Sequence, residues 1–174
     1  DVFRNILVLP LTQLRDRRLH QRAHGGWKTH DGSDTQIAKV TGHGVVIVFQ
    51  NDLDVAAEQS ALAEAQLVVW LHPVHWYGMT PLLKLWADDV LAFGWAYGPG
   101  GTALRGKDLW LVASTGGSAE AYRPDGLNRY FFDAFLPPYE QTAQLVGLRF
   151  LPPLVLHGAH RLGDGEVDMH VQTF

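Results

Sequence analysis

The sequence predicts an α/β fold, a parallel sheet held between layers of helices. Three observations carry this. Short apolar runs alternate with helical stretches along the 174 residues, the pattern of strand-helix-strand units. Leu67 to Leu71 is apolar throughout, as a central parallel strand covered on both faces requires. Thr80-Pro81 then supplies an N-cap and a first helical position downstream of that strand. With 47% hydrophobic and 18% charged residues, residues 1–174 are expected to form one domain with a sizeable core.

Taken in order, Ile6 to Leu9 reads as a short buried strand. Thr12 to Ala23 reads as a basic helix whose leucines fall only at positions 14 and 19. His24 to Gly44 is rich in Gly, His, Thr and Asp and reads as a long irregular connection, of a length unusual in a compact domain. Val45 to Phe49 is a β-branched strand, and Asp54 to Ala65 an alanine- and glutamate-rich helix. The Leu67 strand and the Thr80 helix follow, then a turn at Gly94. Asp108 to Ala113 is the next strand. Asn128 to Phe135 and Tyr139 to Val146 read as helical pieces broken at Pro137-Pro138, with Gly147 as the stop. Leu148 to His157, interrupted by Pro152-Pro153, completes a set of five strands, for which the order 2-1-3-4-5 is expected.

Two loops fall where such sheets bind ligands, at the carboxyl ends of strands. The first is His72-Pro73-Val74-His75-Trp76-Tyr77-Gly78. It offers a flat aromatic ligand a stacking surface and backbone donors; alternatively, Trp76 and Tyr77 plug the top of the core. The second is Ser114-Thr115-Gly116-Gly117, whose small residues either let backbone amides approach a ligand or simply make a tight turn.

Several function classes drop out. The formal charge is −4 and no basic run exceeds Arg17-Arg18, which argues against nucleic-acid binding and for a small-molecule partner. There are no cysteines, hence no disulfides or thiolate chemistry. No signal peptide or apolar span of membrane length is read, and a soluble cytoplasmic protein is expected. Of nine histidines, His72 and His75 form an H-x-x-H pattern with His20, His24 and His30 upstream. The pair follows a strand instead of sharing a helical face, no third ligand has diagnostic spacing, and no metal is expected. His157 and His160 read as satisfied at the sheet edge or solvated. Ser114 lacks the G-x-S-x-G elbow of a hydrolase nucleophile. Asp88 and Asp89 read as a solvated face, with Lys84 four residues before Asp88.

The runs HPVHWYGMTPLLKLWADDVLAFGWAYG, GGTALRGKDLWLVASTGG, AYRPDGLNRY and LPPYEQTAQLVGLRFLPPLVLHG carry a resemblance. The chain resembles the flavodoxin-like NAD(P)H quinone oxidoreductases over roughly residues 52 to 160. Within these it is most similar to the small bacterial branch that includes ancillary subunits of glutathione-gated potassium efflux systems. The resemblance implies a flavodoxin-like three-layer sandwich and a bound flavin, FMN or FAD. It implies hydride passage from NADH or NADPH through that flavin to a quinone, chemistry that belongs mostly to the cofactor. By the same resemblance Pro73, Val74, His75, Trp76 and Tyr77 line the isoalloxazine, and Ser114, Thr115, Gly116 and Gly117 hold its polar edge. Tyr122 matches a tyrosine that borders the transfer site and stabilises developing charge. Asn128 lies near a position where some relatives carry a histidine, and a carboxamide does not shuttle protons as imidazole does.

The resemblance further implies a homodimer with sites built from both chains. Leu82, Leu85 and Trp86 would then serve core or interface, and Trp95 and Tyr97 a neighbouring aromatic wall or the core. The alternative to an enzyme is a regulatory subunit with weak flavin binding, peripheral at the inner face of the membrane on a potassium efflux protein. Two departures bear on this choice. Relatives follow the first strand with His-Pro, a serine and an asparagine that cradle the flavin phosphate; here Leu9 runs into Pro10-Leu11-Thr12-Gln13-Leu14-Arg15-Asp16. Thr12 or Gln13 falls near the serine, and Asp16 near the asparagine, where a carboxylate repels phosphate while helix N-terminal amides attract it. His24 to Asp52 also departs from the family pattern, and the sequence is expected to stop inside the closing helix at Phe174.

Overall fold

The computed structural model describes residues 53–162. The expected strands Ile6 to Leu9 and Val45 to Phe49, the helix from Thr12, and the phosphate-loop candidates Thr12 and Gln13 lie outside the described residues. Helix α1 (Val55–Glu64) starts where Asp54 can cap it, its carboxylate accepting from the Ala57 N–H at 3.0 Å. Strand β1 (Leu67–Pro73) pairs in parallel with β2 (Asp108–Ser114), in register from Leu67 opposite Asp108 to Pro73 opposite Ser114. Between them α2 (Pro81–Val90) opens with the Thr80 hydroxyl accepting from Leu83 N–H at 3.4 Å and Pro81 in the first turn, as the sequence predicts.

Three expectations need correction. His72 belongs to β1 and is buried, not part of the loop, because the ladder with β2 continues past Leu71. Pro137-Pro138 does not break a helix but begins one, α3 (Pro137–Val146), since a missing N–H is harmless in a first turn. Gly147, at φ 79°, ends that helix in the left-handed conformation expected of it. The helix expected over Asn128 to Phe135 shrinks to a 3₁₀ turn at Phe132–Phe135. Arg129 at φ 61° takes the backbone out of right-handed helix space just before it.

The expected last strand is present as two pieces, β3 (Arg149–Phe150) and β4 (Leu154–Leu156), separated by the prolines and both parallel to β2. Among the described residues the sheet therefore has four strands, all parallel. Trp70 of β1 meets Trp86 of α2 edge-on at 6.3 Å and Tyr139 of α3 at 6.2 Å, so both helices cover the same sheet face. Trp86 is thus core, whereas Leu82 and Leu85 on the same helix are exposed, and Trp95 and Tyr97 are partly buried against the core.

Polar groups tie the layers together. Trp86 Nε1–H donates to the buried Glu58 carboxylate at 3.1 Å; burial pushes that carboxyl up, opposed by the same hydrogen bond. Lys107 Nζ donates to the Ala63 and Ala65 carbonyls at 2.8 and 2.6 Å, closing the C-terminal end of α1. Lys84 and Asp88 pair on the solvent side of α2, the structural role expected of them. No described helix is long and apolar enough to cross a membrane.

Candidate functional site

The parallel pairing of β1 and β2 brings both candidate loops to one edge of the sheet. Pro73 and Ser114 are the last residues in register, and the Val74 N–H donates to the Ser114 carbonyl at 2.8 Å, so the loops leave from a common base. Beyond it the chain folds into a tight hairpin. His75 and Gly78 exchange backbone hydrogen bonds at 3.2 and 3.1 Å, with Trp76 at φ 49° and Tyr77 at φ 66° between them. Positive φ at both central residues is the two-residue type I′ geometry, normally given to Asn-Gly. Two bulky aromatics held there store roughly 1 kcal/mol or more each. The turn leaves Trp76 95% exposed. Trp76 and Tyr77 therefore do not plug the core; they stand above the sheet.

Opposite them, Gly117 and Tyr122 form the far wall of an open cleft of about 260 Å³, lined by Val74, Trp76, Tyr77, Gly117, Tyr122, Leu127 and Asn128. Six of these seven are residues the sequence nominated, drawn from three separate segments. Tyr77 stacks on Phe135 at 5.2 Å, and its hydroxyl reaches the Asn128 carboxamide oxygen at 3.4 Å. Phe135 meets Tyr122 edge-on at 5.9 Å, so the two cleft walls share one aromatic support. Gly117 is open toward this space: a Cβ there would lie 3.4 Å from Tyr122 Cε2 and 3.5 Å from Asn128 Nδ2.

The remaining nominated residues sit around the cleft without lining it. His75 and Gly116 are exposed, and Pro73 and Ser114 form the base. Thr115 is buried, with its N–H donated to the Leu156 carbonyl at 2.9 Å and its hydroxyl to the Gly117 carbonyl at 2.8 Å. The amides of Val74, His75 and Thr115 are thus engaged within the protein, whereas those of Trp76 and Tyr77 make no hydrogen bond with another described residue. A planar ligand with carbonyl acceptors on one edge fits this arrangement: aromatic surface, two uncommitted amides at a turn, and a glycine giving close approach.

Burial raises the pKa of the Tyr122 phenol, and its hydrogen bond to the Thr115 side chain works the other way. The neutral phenol is therefore the resident form at ordinary pH, available as a donor. Sequence reasoning missed Leu127, Phe135 and His157. Leu127 and Phe135 are single apolar residues in an irregular segment, with no periodic signal to place them. His157 reads from the sequence as satisfied at the sheet edge or solvated; its Nδ1 lies 3.0 Å from Thr115 Oγ1 and its ring 5.2 Å from that of Tyr122. Among the described residues no three His, Asp or Glu side chains converge as a metal site would need.

Residues 15–173 match the Flavodoxin_2 family, described as having a flavodoxin-like fold. The glutathione-regulated potassium-efflux system ancillary protein KefF of Citrobacter koseri is 51% identical over 107 residues, 61% of this chain and 59% of that protein. The match thus spans about three fifths of that curated relative's length. Three solved structures align at comparable quality. One described as a thermophilic tryptophan halogenase from Streptomycin violaceusniger is 40% identical, covering 70% of each chain with a TM-score of 0.67. The general stress protein 14 of Treponema denticola, solved with FMN, is 38% identical over 71% of each chain, TM-score 0.65. An NADPH-quinone reductase from P. pentosaceus is 28% identical over 72% of this chain and 74% of that one, TM-score 0.68.

Proposed function

Because the chain belongs to the Flavodoxin_2 family of flavodoxin-like proteins and is similar to an NADPH-quinone reductase, we propose that it is a flavin-dependent NAD(P)H:quinone oxidoreductase. The observation that carries this reading is the strained Trp76-Tyr77 turn facing Gly117 and Tyr122 across an open cleft at the carboxyl ends of parallel strands. Strain of this kind concentrates at ligand sites, and this turn lies on an open cleft of about 260 Å³ whose lining includes the aromatic side chains of Trp76, Tyr77 and Tyr122. In this reading residues 1–174 form one domain around a five-stranded sheet of order 2-1-3-4-5, with β3 and β4 counted as one strand and the strands expected at Ile6 to Leu9 and Val45 to Phe49 completing it.

A bound flavin supplies the hydride acceptor and donor that connects NAD(P)H with a quinone. FMN is the form we favour, since the Treponema denticola relative was solved with it. The chain's own residues then have definite tasks. Trp76 and Tyr77 offer their amides to the polar edge of the ring system, and their side chains with Val74 exclude water from one side. Gly117 lets the far edge approach the backbone. Tyr122, neutral and half surrounded by Phe132, Phe135 and His157, donates toward charge that develops at that edge, where a preorganised donor is most effective. NAD(P)H and quinone use the open face in turn. The exposed apolar rim of Trp76, Leu127, Tyr130 and Phe131 is read as the surface that a second copy covers in a homodimer.

The test is the visible absorption spectrum of the full chain after incubation with FMN or FAD and desalting, followed by anaerobic NADPH. Retained flavin absorbance that disappears on adding NADPH and returns with a quinone supports the oxidoreductase. Failure to retain either flavin rejects it. A second reading is favoured by the Citrobacter koseri relative's role beside a potassium efflux system: a cytoplasmic regulatory subunit at the inner face of the membrane, its flavin site weak. That reading requires binding to the efflux protein without turnover.

A further inference from the structure

The hydrogen bonds of the Thr115 hydroxyl fix the protons around it. Its single proton is donated to the Gly117 carbonyl at 2.8 Å. Both of its lone pairs are then left to accept. One faces His157 Nδ1 at 3.0 Å. With the hydroxyl proton committed to Gly117, His157 carries its own proton on Nδ1, leaving Nε2 as the basic atom.

The array is held rigidly. Thr115 N–H bonds the Leu156 carbonyl at 2.9 Å, Gly158 N–H the Gly117 carbonyl at 2.8 Å, and Ala159 N–H the Thr115 carbonyl at 2.9 Å. These three bonds lace the loop after β2 to the segment that carries His157. The imidazole then packs against Tyr122 at 5.2 Å and Phe132 at 5.5 Å. Among the described residues Glu120, itself beside Arg123, acts on its charge. Asn128, which lines the cleft, cannot titrate.

We propose that His157 is the positioning residue of this cleft: held by Thr115 with its ring against that of Tyr122, it places a positive charge beside that phenol on protonation at Nε2. Its consequence for turnover rests on the oxidoreductase reading; its geometry does not. Burial holds the imidazole below the ordinary histidine range, with Glu120 opposing, so the positive charge develops on the acid side of neutrality. There it favours an electron-rich ligand edge, and the rate of NADPH-driven reduction rises as pH falls through that ionisation.

Histidine-labelled full-length protein without flavin gives the first readout, by long-range proton–nitrogen correlation spectra, with His157→Gln identifying the resonance. The Nδ1–H tautomer is expected for His157 near neutral pH. It should persist in Thr115→Ser and revert in Thr115→Val toward the Nε2–H form that free histidine prefers. An Nε2–H tautomer in the parent protein, or no change in Thr115→Val, overturns the proposal. The second readout is the pH profile of single-turnover reduction in FMN-loaded protein. Its acid-side inflection should disappear in His157→Gln, with FMN retention within about twofold; a profile that survives the substitution overturns the proposal. A parent protein that retains no FMN defeats the oxidoreductase reading separately, and the tautomer measurement still decides the array.

Discussion

Acidification should weaken this fold through one histidine. His72 is 2% exposed, stacked on Tyr139 at 5.7 Å and 18°, with Nδ1 donating to the Pro73 carbonyl at 2.8 Å and Nε2 lacking a partner among the described residues. Burial lowers its pKa to about 4, only partly opposed by the Pro73 hydrogen bond, and His75 adds repulsion. The depressed value means that the unfolded chain takes up the proton first. Stability is therefore full above the ordinary value of 6.5 and falls as the pH drops toward 4. The whole span is about 3.4 kcal/mol, of which roughly 2.5 kcal/mol is lost by pH 4.5. His72→Phe keeps the ring stack and removes the titration. Urea unfolding followed by circular dichroism at pH 7.5 and 4.5 should show the two proteins within about 1 kcal/mol of each other at the higher pH. At pH 4.5 the variant should lead by an additional ~2.5 kcal/mol. Parallel pH dependences in the two proteins would refute the argument.

Other consequences follow from the same contacts. Tyr122→Phe removes the phenol donor but keeps the ring against Phe132 and Phe135, so turnover should fall about 10- to 100-fold while FMN content holds; equal turnover would exclude the donor role. Gly126→Ala would put a Cβ 2.4 Å from the Glu120 carbonyl and 2.7 Å from that of Ala121. The segment carrying Leu127 and Asn128 must then shift, costing about 1–3 kcal/mol and weakening FMN binding, which thermal unfolding and fluorescence titration would register together. Lys107→Met strips the Ala63 and Ala65 carbonyls of their donor and should destabilise the protein by roughly 2 kcal/mol, without altering FMN affinity.

The sequence announces the site wherever it uses local signals. The apolar run from Leu67, the Thr80-Pro81 start and the strand from Asp108 place both loops at one sheet edge, because parallel strands must end together. What it hides is tertiary. Trp76 and Tyr77 break the usual preference for Asn-Gly in a two-residue turn, so no turn rule identifies their hairpin, and their exposure shows only in three dimensions. Arg129 at positive φ ends an apparent helix that propensity alone would continue. The two prolines before Tyr139 are compatible with either breaking or starting a helix, and the first-turn position decides. His157 becomes a site residue through Thr115, forty-two positions away, and through the ring of Tyr122, pairings that no local pattern contains. The resemblance to quinone reductases supplies the cofactor expectation, and the described geometry supplies the place where it can be tested.

The most direct test is an equilibrium titration of FMN into the full chain and into Gly117→Ala, read by quenching of flavin and tryptophan fluorescence. Gly117 has room for a Cβ, with its nearest neighbours at 3.4 Å, so the variant should keep the parent's thermal stability. That methyl nevertheless lies between Tyr122 and Asn128, inside the cleft. Saturable binding to the parent, weakened at least tenfold, about 1.4 kcal/mol, in the variant, is the result this account predicts. Equal FMN affinity in the two proteins, or no binding to the parent, would contradict it.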